Sequence, residues 1–455
     1  MEAILEFLRD VLSQPALLIG IMSCIGLVAL KRPFHKVMTG TLKPILGYLM
    51  LAAGAGVIVS NLDPLGKMIE YGFHITGVVP NNEAIVAVAQ QVLGVETMSI
   101  LVVGLVMNLL IARFTKYKYV FLTGHHSLFM ACLMSAVLGT AGLAGTELIV
   151  VGGFLMGAWS AISPAIGQKY TSKVTDGDEI ALGHFGSLGY YLSAWIAKYV
   201  GKAEDSTEDI EIPEKWGFLR DSTLSTALTM IVFYLIAAIA AGPEFVATLS
   251  GDMSPYLYAI MSAMNFAVGV TIVYSGVRMI LGDLIPAFQG IATKIIPKAI
   301  PAVDCAVFFT YAPTAVVLGF ISSFIGGIIG MLILGAIGGV LIIPGLVPHF
   351  FCGATAGIYG NATGGRRGAA VGAFLNGLAI TFLPAMALPV LGQLGFQNTT
   401  FGDADFAVIA LVIGNAFEWL GLAGIYSIVG LALLVLIIPN FVKTKGDVIN
   451  YVEEE

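Results

Sequence analysis

Histidine and aspartate side chains set inside apolar sequence are the groups on this chain that could do chemistry. His125-His126 follow Leu122-Thr123-Gly124 at the start of an apolar run. Adjacent residues on a helix point to different faces, so the pair is no ready-made metal site. Each is either a hydrogen-bonded core histidine or a ligand donor. His184 ends the stretch Val174-Thr175-Asp176-Gly177-Asp178-Glu179-Ile180-Ala181-Leu182-Gly183-His184, whose glycines imply a tight, shaped loop. Asp178 and Glu179 read as caps of the next helix. Asp304 stands among Pro297, Pro301 and Pro313, in a segment that cannot be one continuous helix. Its carboxylate could accept hydrogen bonds from ligand hydroxyls, cap the following helix, or both. His349 follows the broken element Leu341-Ile342-Ile343-Pro344-Gly345-Leu346-Val347-Pro348 and could line a cavity. Glu418 lies in an apolar span and is a candidate buried carboxylate. Asn108, Asn265 and Asn376 read as hydrogen bonders between helices.

The elements that position these groups must sit in lipid. The 455 residues are 57% hydrophobic and 11% charged, with mean hydropathy +0.90. Soluble domains carry about a quarter charged residues, so this chain cannot cover itself with a solvated surface. That excludes a cytosolic enzyme, a disordered chain and a nucleic-acid binder. The fold class is an all-α polytopic membrane protein, since apolar runs of helical length replace the alternating pattern of an outer-membrane barrel. A charge at mid-bilayer costs about 2.5–3.5 kcal/mol on insertion scales, so a buried histidine or aspartate faces protein or a wet cavity. Broken backbone at that depth is tolerated only where it is buried or lines a cavity.

Candidate spans fall at 15–30, 41–60, 98–112, 120–142, 148–166, 224–241, 255–274, 276–297, 314–344, 369–391 and 406–439, the last long enough for two elements. Ten or eleven spans with re-entrant pieces are expected. The chain divides into an interfacial amphipathic helix (1–14), a first membrane half (15–167), a cytoplasmic loop with amphipathic helix and linker (168–222), a second membrane half (223–442) and a cytoplasmic tail (443–455). Within the loop, Leu188, Tyr191, Leu192, Trp195, Ile196 and Tyr199 form one helical stripe. Lys31, Arg32, Lys36 and Lys43, then Arg113, Lys116 and Lys118, then Lys169, Lys173, Lys198 and Lys202 mark cytoplasmic turns and place the N-terminus outside. Residues 45–52 (ILGYLMLA) echo residues 280–287 (ILGDLIPA), a pattern compatible with an internal repeat. The four cysteines, Cys24, Cys132, Cys305 and Cys352, sit in apolar stretches without a CxxC pair and read as small buried residues.

Neither a Walker glycine loop, an HExxH metal motif, a voltage-sensor arginine ladder nor a TVGYG filter is present. Neutral polar groups, a few histidines and one or two carboxylates in a membrane cavity suit a polyhydroxylated solute. An ion-coupled secondary transporter using Asp304 and Glu418, or a membrane-embedded enzyme using His125 and His184, stays open on these residues alone.

Several motifs, in order, resemble one family. They are Leu122-Thr123-Gly124-His125; Val174-Thr175-Asp176-Gly177 with Gly183-His184; Val303-Asp304-Cys305-Ala306 with Ala312-Pro313-Thr314-Ala315; and Ile342-Ile343-Pro344-Gly345. Together they are similar to the ascorbate-type enzyme IIC, the membrane component of the bacterial phosphoenolpyruvate-dependent phosphotransferase system. The resemblance implies a multi-pass protein of the bacterial cytoplasmic membrane, a homodimer of about eleven spans, with a scaffold domain and a substrate-carrying core that moves elevator-fashion. It implies translocation of L-ascorbate or a related sugar or sugar acid, coupled to phosphorylation by a separate phosphocysteine-bearing enzyme IIB fed by a separate IIA. It implies no cofactor, no metal and no phosphorylation-site residue in this chain. Substrate contacts would fall on His125, His126, Phe129, His184, Phe185, Asp304, Asn82 and Glu83. Ascorbate members place glutamine where Phe129 and Phe185 align, and Thr-Tyr where Asn82-Glu83 align. Phenylalanine offers a stacking face instead of an amide.

Overall fold

The computed structural model describes residues 11, 14–74, 77–80, 82–210, 222–391 and 399–441. The expected interfacial helix over 1–14 lies almost wholly outside the described residues, as do linker residues 211–221 and the tail from 443.

The described chain is mostly helical. α1 (Pro15–Ala29) and α2 (Phe34–Gly72) lead to a two-residue strand β1 (Val79–Pro80). α3 (Asn82–Phe114), β2 (Tyr119–Phe121), α4 (Gly124–Thr140), α5 (Gly145–Thr175), β3 (Ala181–Leu182) and α6 (Ser187–Val200) complete the first half. The second half holds α7 (Ser222–Ala241), α8 (Pro243–Ser250), α9 (Pro255–Lys294), β4 (Ile300–Val303) and a 3₁₀ turn, Cys305–Thr310. It ends with α10 (Pro313–Ala336), α11 (Leu346–Leu391), β5 (Thr399–Thr400), α12 (Ala404–Leu420) and α13 (Leu422–Phe441). Among the described residues seven helices are long and apolar enough to cross a membrane, or eight if α7 and α8, bent by 117°, form one span.

This is an all-α polytopic membrane protein, but its spans are not cut where hydropathy cuts them. The expected spans 255–274 and 276–297 are one helix, α9, because Ser275 and Gly276 do not stop an apolar helix. The expected span 120–142 is a strand followed by the 17-residue α4. The broken element anticipated at 341–349 is non-helical over 341–345 and then begins the 46-residue α11 at Leu346, whose helical backbone fails only at Gly364 and Gly365. The run 406–439 is two helices that part at Gly421, which takes φ 59°. The amphipathic helix of the 168–222 loop is α6, and residues 168–175 belong to α5. α6 presses its small residues, Gly189, Ser193, Ala194 and Ala197, toward α11, while Leu192, Trp195 and Tyr199 of the expected stripe stay exposed. A methyl carbon on Gly364 would strike the backbone of Ala197, so the glycine lets the two helices touch.

α2 packs against α1, α7 and α9, whereas α4, α5 and α6 pack with α3, α11 and α12. The two similar stretches, 45–52 and 280–287, lie on α2 and α9, which run antiparallel and touch through glycine. A methyl carbon on Gly47 would come 2.8 Å from Gly276 O, and one on Gly54 2.8 Å from Gly269 O. Lys43 pairs with Asp283 across the same contact at 3.5 Å. At the end of α3, Lys118 Nζ donates to Ala112 O and Arg113 O at 3.1 and 3.4 Å, a cation on a helix C-terminus. Partial burial and the nearby Arg113 guanidinium lower its ammonium below the usual lysine range.

Two small sheets lie inside this helical body. β2, β4 and β3 pair in parallel, in that order, with Phe121 and Ala181 both opposite Ala302 and Leu182 opposite Val303. β1 and β5 pair in parallel, and Val78 bridges Ile342. All described residues of the three-stranded sheet are buried. Such backbone survives in a membrane interior because each strand satisfies its neighbour's polar groups.

A candidate sugar site at the strand ends

Each strand of the larger sheet delivers one chemical group. β2 runs through Leu122-Thr123-Gly124 into α4, so His125 and His126 open that helix. β3 runs through Gly183 to His184 and Phe185. β4 ends at Asp304. The strands are parallel, so their three ends converge at one edge. Two backbone bonds continue the pairing past the strands: Leu122 N donates to Ala302 O at 2.9 Å and Gly183 N to Val303 O at 2.7 Å. Gly183 is required there, because a methyl carbon would collide with the Ala302 carbonyl.

The side chains meet at that edge. His125 Nε2 lies 3.3 Å from Asp304 Oδ2, and the rings of His126 and His184 have centroids 3.7 Å apart. Asp304 also caps the 3₁₀ turn, its Oδ1 accepting from Ala306 N at 3.0 Å, while Oδ2 faces His125 at the cavity. The Phe185 N–H donates to His126 Nδ1 at 3.3 Å, and the Gly186 N–H to His184 Nδ1 at 3.1 Å. With Nδ1 an acceptor in both neutral rings, the proton of each sits on Nε2. Two imidazole N–H donors and carboxylate acceptors are a fitting set for the hydroxyls of a polyol.

These groups line a cavity of about 670 Å³ that extends along α2 from Tyr48 to Glu70. That is about 33 Å of helix. His125, His126, Phe129, His184, Asp304 and Asn82 all border it. Phe185 does not. Its ring is fully buried, stacked on Phe121 at 4.6 Å and 15°, with Phe406 at 5.8 Å. What Phe185 contributes is backbone, its N–H to His126 and its carbonyl to Asp405 N at 3.0 Å. Glu83 stands in the first turn of α3, and its side chain lies outside the described residues.

His349 and Glu418 are not at the site. His349 is buried, hydrogen-bonded through Nδ1 to Ser323 Oγ at 2.9 Å and packed beside Gly327. Glu418 is exposed on α12, so the ion-coupled reading loses one of its two carboxylates. Asn108 does link elements, donating to Tyr119 O and accepting from Phe121 N, whereas Asn265 is exposed and Asn376 is buried with no partner on its amide.

The structure adds groups that were not anticipated. Asp403 borders the cavity, its Oδ2 accepting from Asn82 Nδ2 at 2.6 Å and its Oδ1 from the Cys352 thiol at 2.9 Å. Tyr190 OH contacts His184 Nδ1 at 2.9 Å, and Tyr48 OH contacts His125 Nδ1 at 3.0 Å. Behind them Asp405 accepts from Ser187 Oγ, Leu188 N and Trp159 Nε1 at 2.7, 2.9 and 3.1 Å. Three donors meet the demand of a fully buried carboxylate. The sequence signal was Gly402-Asp403-Ala404-Asp405, two aspartates at the start of an apolar run, cut off by beginning that span at Phe406. His126, His184 and Asp403, or His184, Asp304 and Cys305, place ligand atoms within 4.8 Å of one another and could hold a divalent ion. Nδ1 of His126 and of His184 accepts a backbone N–H, which puts the ring proton on Nε2, so neither ring offers an ion a lone pair in this arrangement.

Comparison with known proteins identifies the family. The family model described as "PTS system sugar-specific permease component" matches residues 10–405. The "Ascorbate-specific PTS system EIIC component" of Mycoplasma pneumoniae is 27% identical over 475 aligned positions, covering 90% of this chain and 70% of that protein.

Proposed function

The chain belongs to the sugar-specific permease components of the phosphotransferase system, and from that premise we propose that it carries L-ascorbate or a related sugar or sugar acid through the cytoplasmic membrane by an elevator movement. The observation that carries the proposal is the convergence of His125, His126, His184, Asp304 and Asp403 on one cavity at the ends of a buried parallel sheet. Hydrogen-bond donors and acceptors held by backbone suit a hydroxyl-rich ligand, and Phe129 supplies an apolar face beside them. Asn82 orients Asp403, and Phe185 orients His126.

In this reading α2, with α1, α7 and α9, is the static frame, and the sheet with α4–α6 and α10–α12 is the moving unit. Lys31, Arg32, Lys36 and Lys43 put the N-terminal end of α2 in the cytoplasm. The cavity runs toward the opposite end, past Asp63, Lys67 and Glu70, which corresponds to an outward-facing state. The loaded unit would then descend. A separate enzyme IIB, charged by a separate IIA, would phosphorylate the sugar, and the product's charge would hold it inside. The working form is a homodimer of about eleven spans, counting interrupted segments.

The test is reconstitution in proteoliposomes loaded with phosphorylated IIB. L-Ascorbate or another sugar from a panel accumulates as its phosphate only when IIB is present. Uptake that persists without IIB and collapses with an ion gradient would overturn the proposal.

A further inference from the structure

His125 is held unlike its two neighbours. His126 and His184 take backbone N–H groups of residues 185 and 186 on Nδ1, His184 together with the Tyr190 hydroxyl of neighbouring α6, whereas His125 Nδ1 faces the Tyr48 hydroxyl of α2 at 3.0 Å. A carboxylate can only accept, so the Nε2 facing Asp304 at 3.3 Å carries the proton of the neutral ring. Nδ1 is then the acceptor and Tyr48 the donor. Tyr48 belongs to α2, which packs with α1, α7 and α9. His125 belongs to α4, which packs with α3 and α5 and is tied through β2 to β4. The bond therefore joins the two helix groups at the Tyr48 end of the cavity. Tyr48 is itself buried, and the His125 side chain keeps 37% of its surface open to the cavity.

We infer that Tyr48 is a positioning residue whose hydroxyl stands on His125 where a substrate hydroxyl will stand, fastening the empty binding unit to α2. A ligand O–H that donates to Nδ1 must displace Tyr48, and in doing so it removes this hydrogen bond between the groups. Occupancy and release are thereby one event. A ligand group without a proton to give, such as a carboxylate or a phosphate ester oxygen, cannot make the exchange. The inference deepens the proposed function and rests on its reading of α2 as frame.

The experiment compares the full chain and Tyr48→Phe in lipid nanodiscs, each also carrying Val347→Cys at the cavity wall. Phenylalanine keeps the ring and removes only the hydroxyl. Labelling of position 347 by a bulky hydrophilic maleimide is followed without ligand and corrected for the native cysteines. The L-ascorbate affinity is measured in parallel. Loss of the hydroxyl is expected to slow labelling at least twofold, as the unfastened unit leaves this state. It is expected to tighten ascorbate about two- to tenfold, since no bond has to be given up. Unchanged labelling overturns the inference, and so does weaker ascorbate binding, which would make Tyr48 a direct ligand contact. If neither protein binds ascorbate, the substrate assignment fails and the labelling result alone decides the role of Tyr48.

Discussion

Asn82 Nδ2 lies 2.6 Å from Asp403 Oδ2, joining residues 321 positions apart, and the same amide accepts the Gly402 N–H through Oδ1 at 2.9 Å. One side chain thus fixes both the carboxylate and the backbone that leads into α12. Asn82→Ala leaves Asp403, among the described residues, with the Cys352 thiol as its remaining side-chain donor. A charged hydrogen bond of this kind is worth about 1.5–3 kcal/mol. The Asn82→Ala/Asp403→Asn double-mutant cycle, measured by unfolding in detergent, should show coupling above about 1 kcal/mol. Coupling near zero would mean the two residues are neighbours without mutual effect.

Asp304 both caps a turn and faces His125, and asparagine separates these roles because it caps about as well as aspartate. Asp304→Asn should therefore keep its thermal midpoint and lose sugar affinity by roughly 10- to 100-fold, the weight of a charge-assisted contact. Asp304→Ala should lose both. Affinity that survives Asp304→Asn would reduce the carboxylate to a cap.

Phe129 and Phe185, both expected from the sequence to touch the sugar, should respond differently. Phe129 borders the cavity, so Phe129→Gln should change the order of preference within a sugar panel without unfolding the protein. Phe185 is wholly buried between Phe121 and Phe406. Phe185→Gln buries an amide there and should cost about 2–4 kcal/mol of stability. A thermal-shift series with and without sugar distinguishes the two outcomes, and equal behaviour would contradict the placement of Phe185.

Gly183 sits where β3 passes the Ala302 carbonyl. Gly183→Ala should push β3 away from β4 and swing His184 off His126, abolishing ligand binding while the helices remain folded by circular dichroism. Retained binding would show that the strand contact is dispensable.

The chemistry-bearing residues were largely legible before any coordinates. Histidine and aspartate inside apolar sequence are expensive, so His125, His126, His184 and Asp304 stood out, and the cavity collects all four. His349 and Glu418 stood out for the same reason but lie away from the cavity, the histidine buried and bonded to Ser323 and the glutamate exposed near the end of α12. Asp403 was hidden by a boundary drawn one turn too late. Tyr48 was hidden because a tyrosine in an apolar helix carries no signal until its hydroxyl has a partner. The spans were legible as apolar runs, but not their breaks. Hydropathy cannot tell a strand such as Tyr119–Phe121 from the first turn of a helix, since both are apolar and the difference lies in a partner 180 residues away.

The small sheet at the heart of the protein is knitted by main-chain atoms. A side chain that borders the cavity beyond the strands, such as Phe129, can therefore be exchanged without unravelling the sheet, whereas Gly183, which lets β3 pass the Ala302 carbonyl, cannot. Changing a few such tips would alter what a permease of this design holds and leave its frame standing.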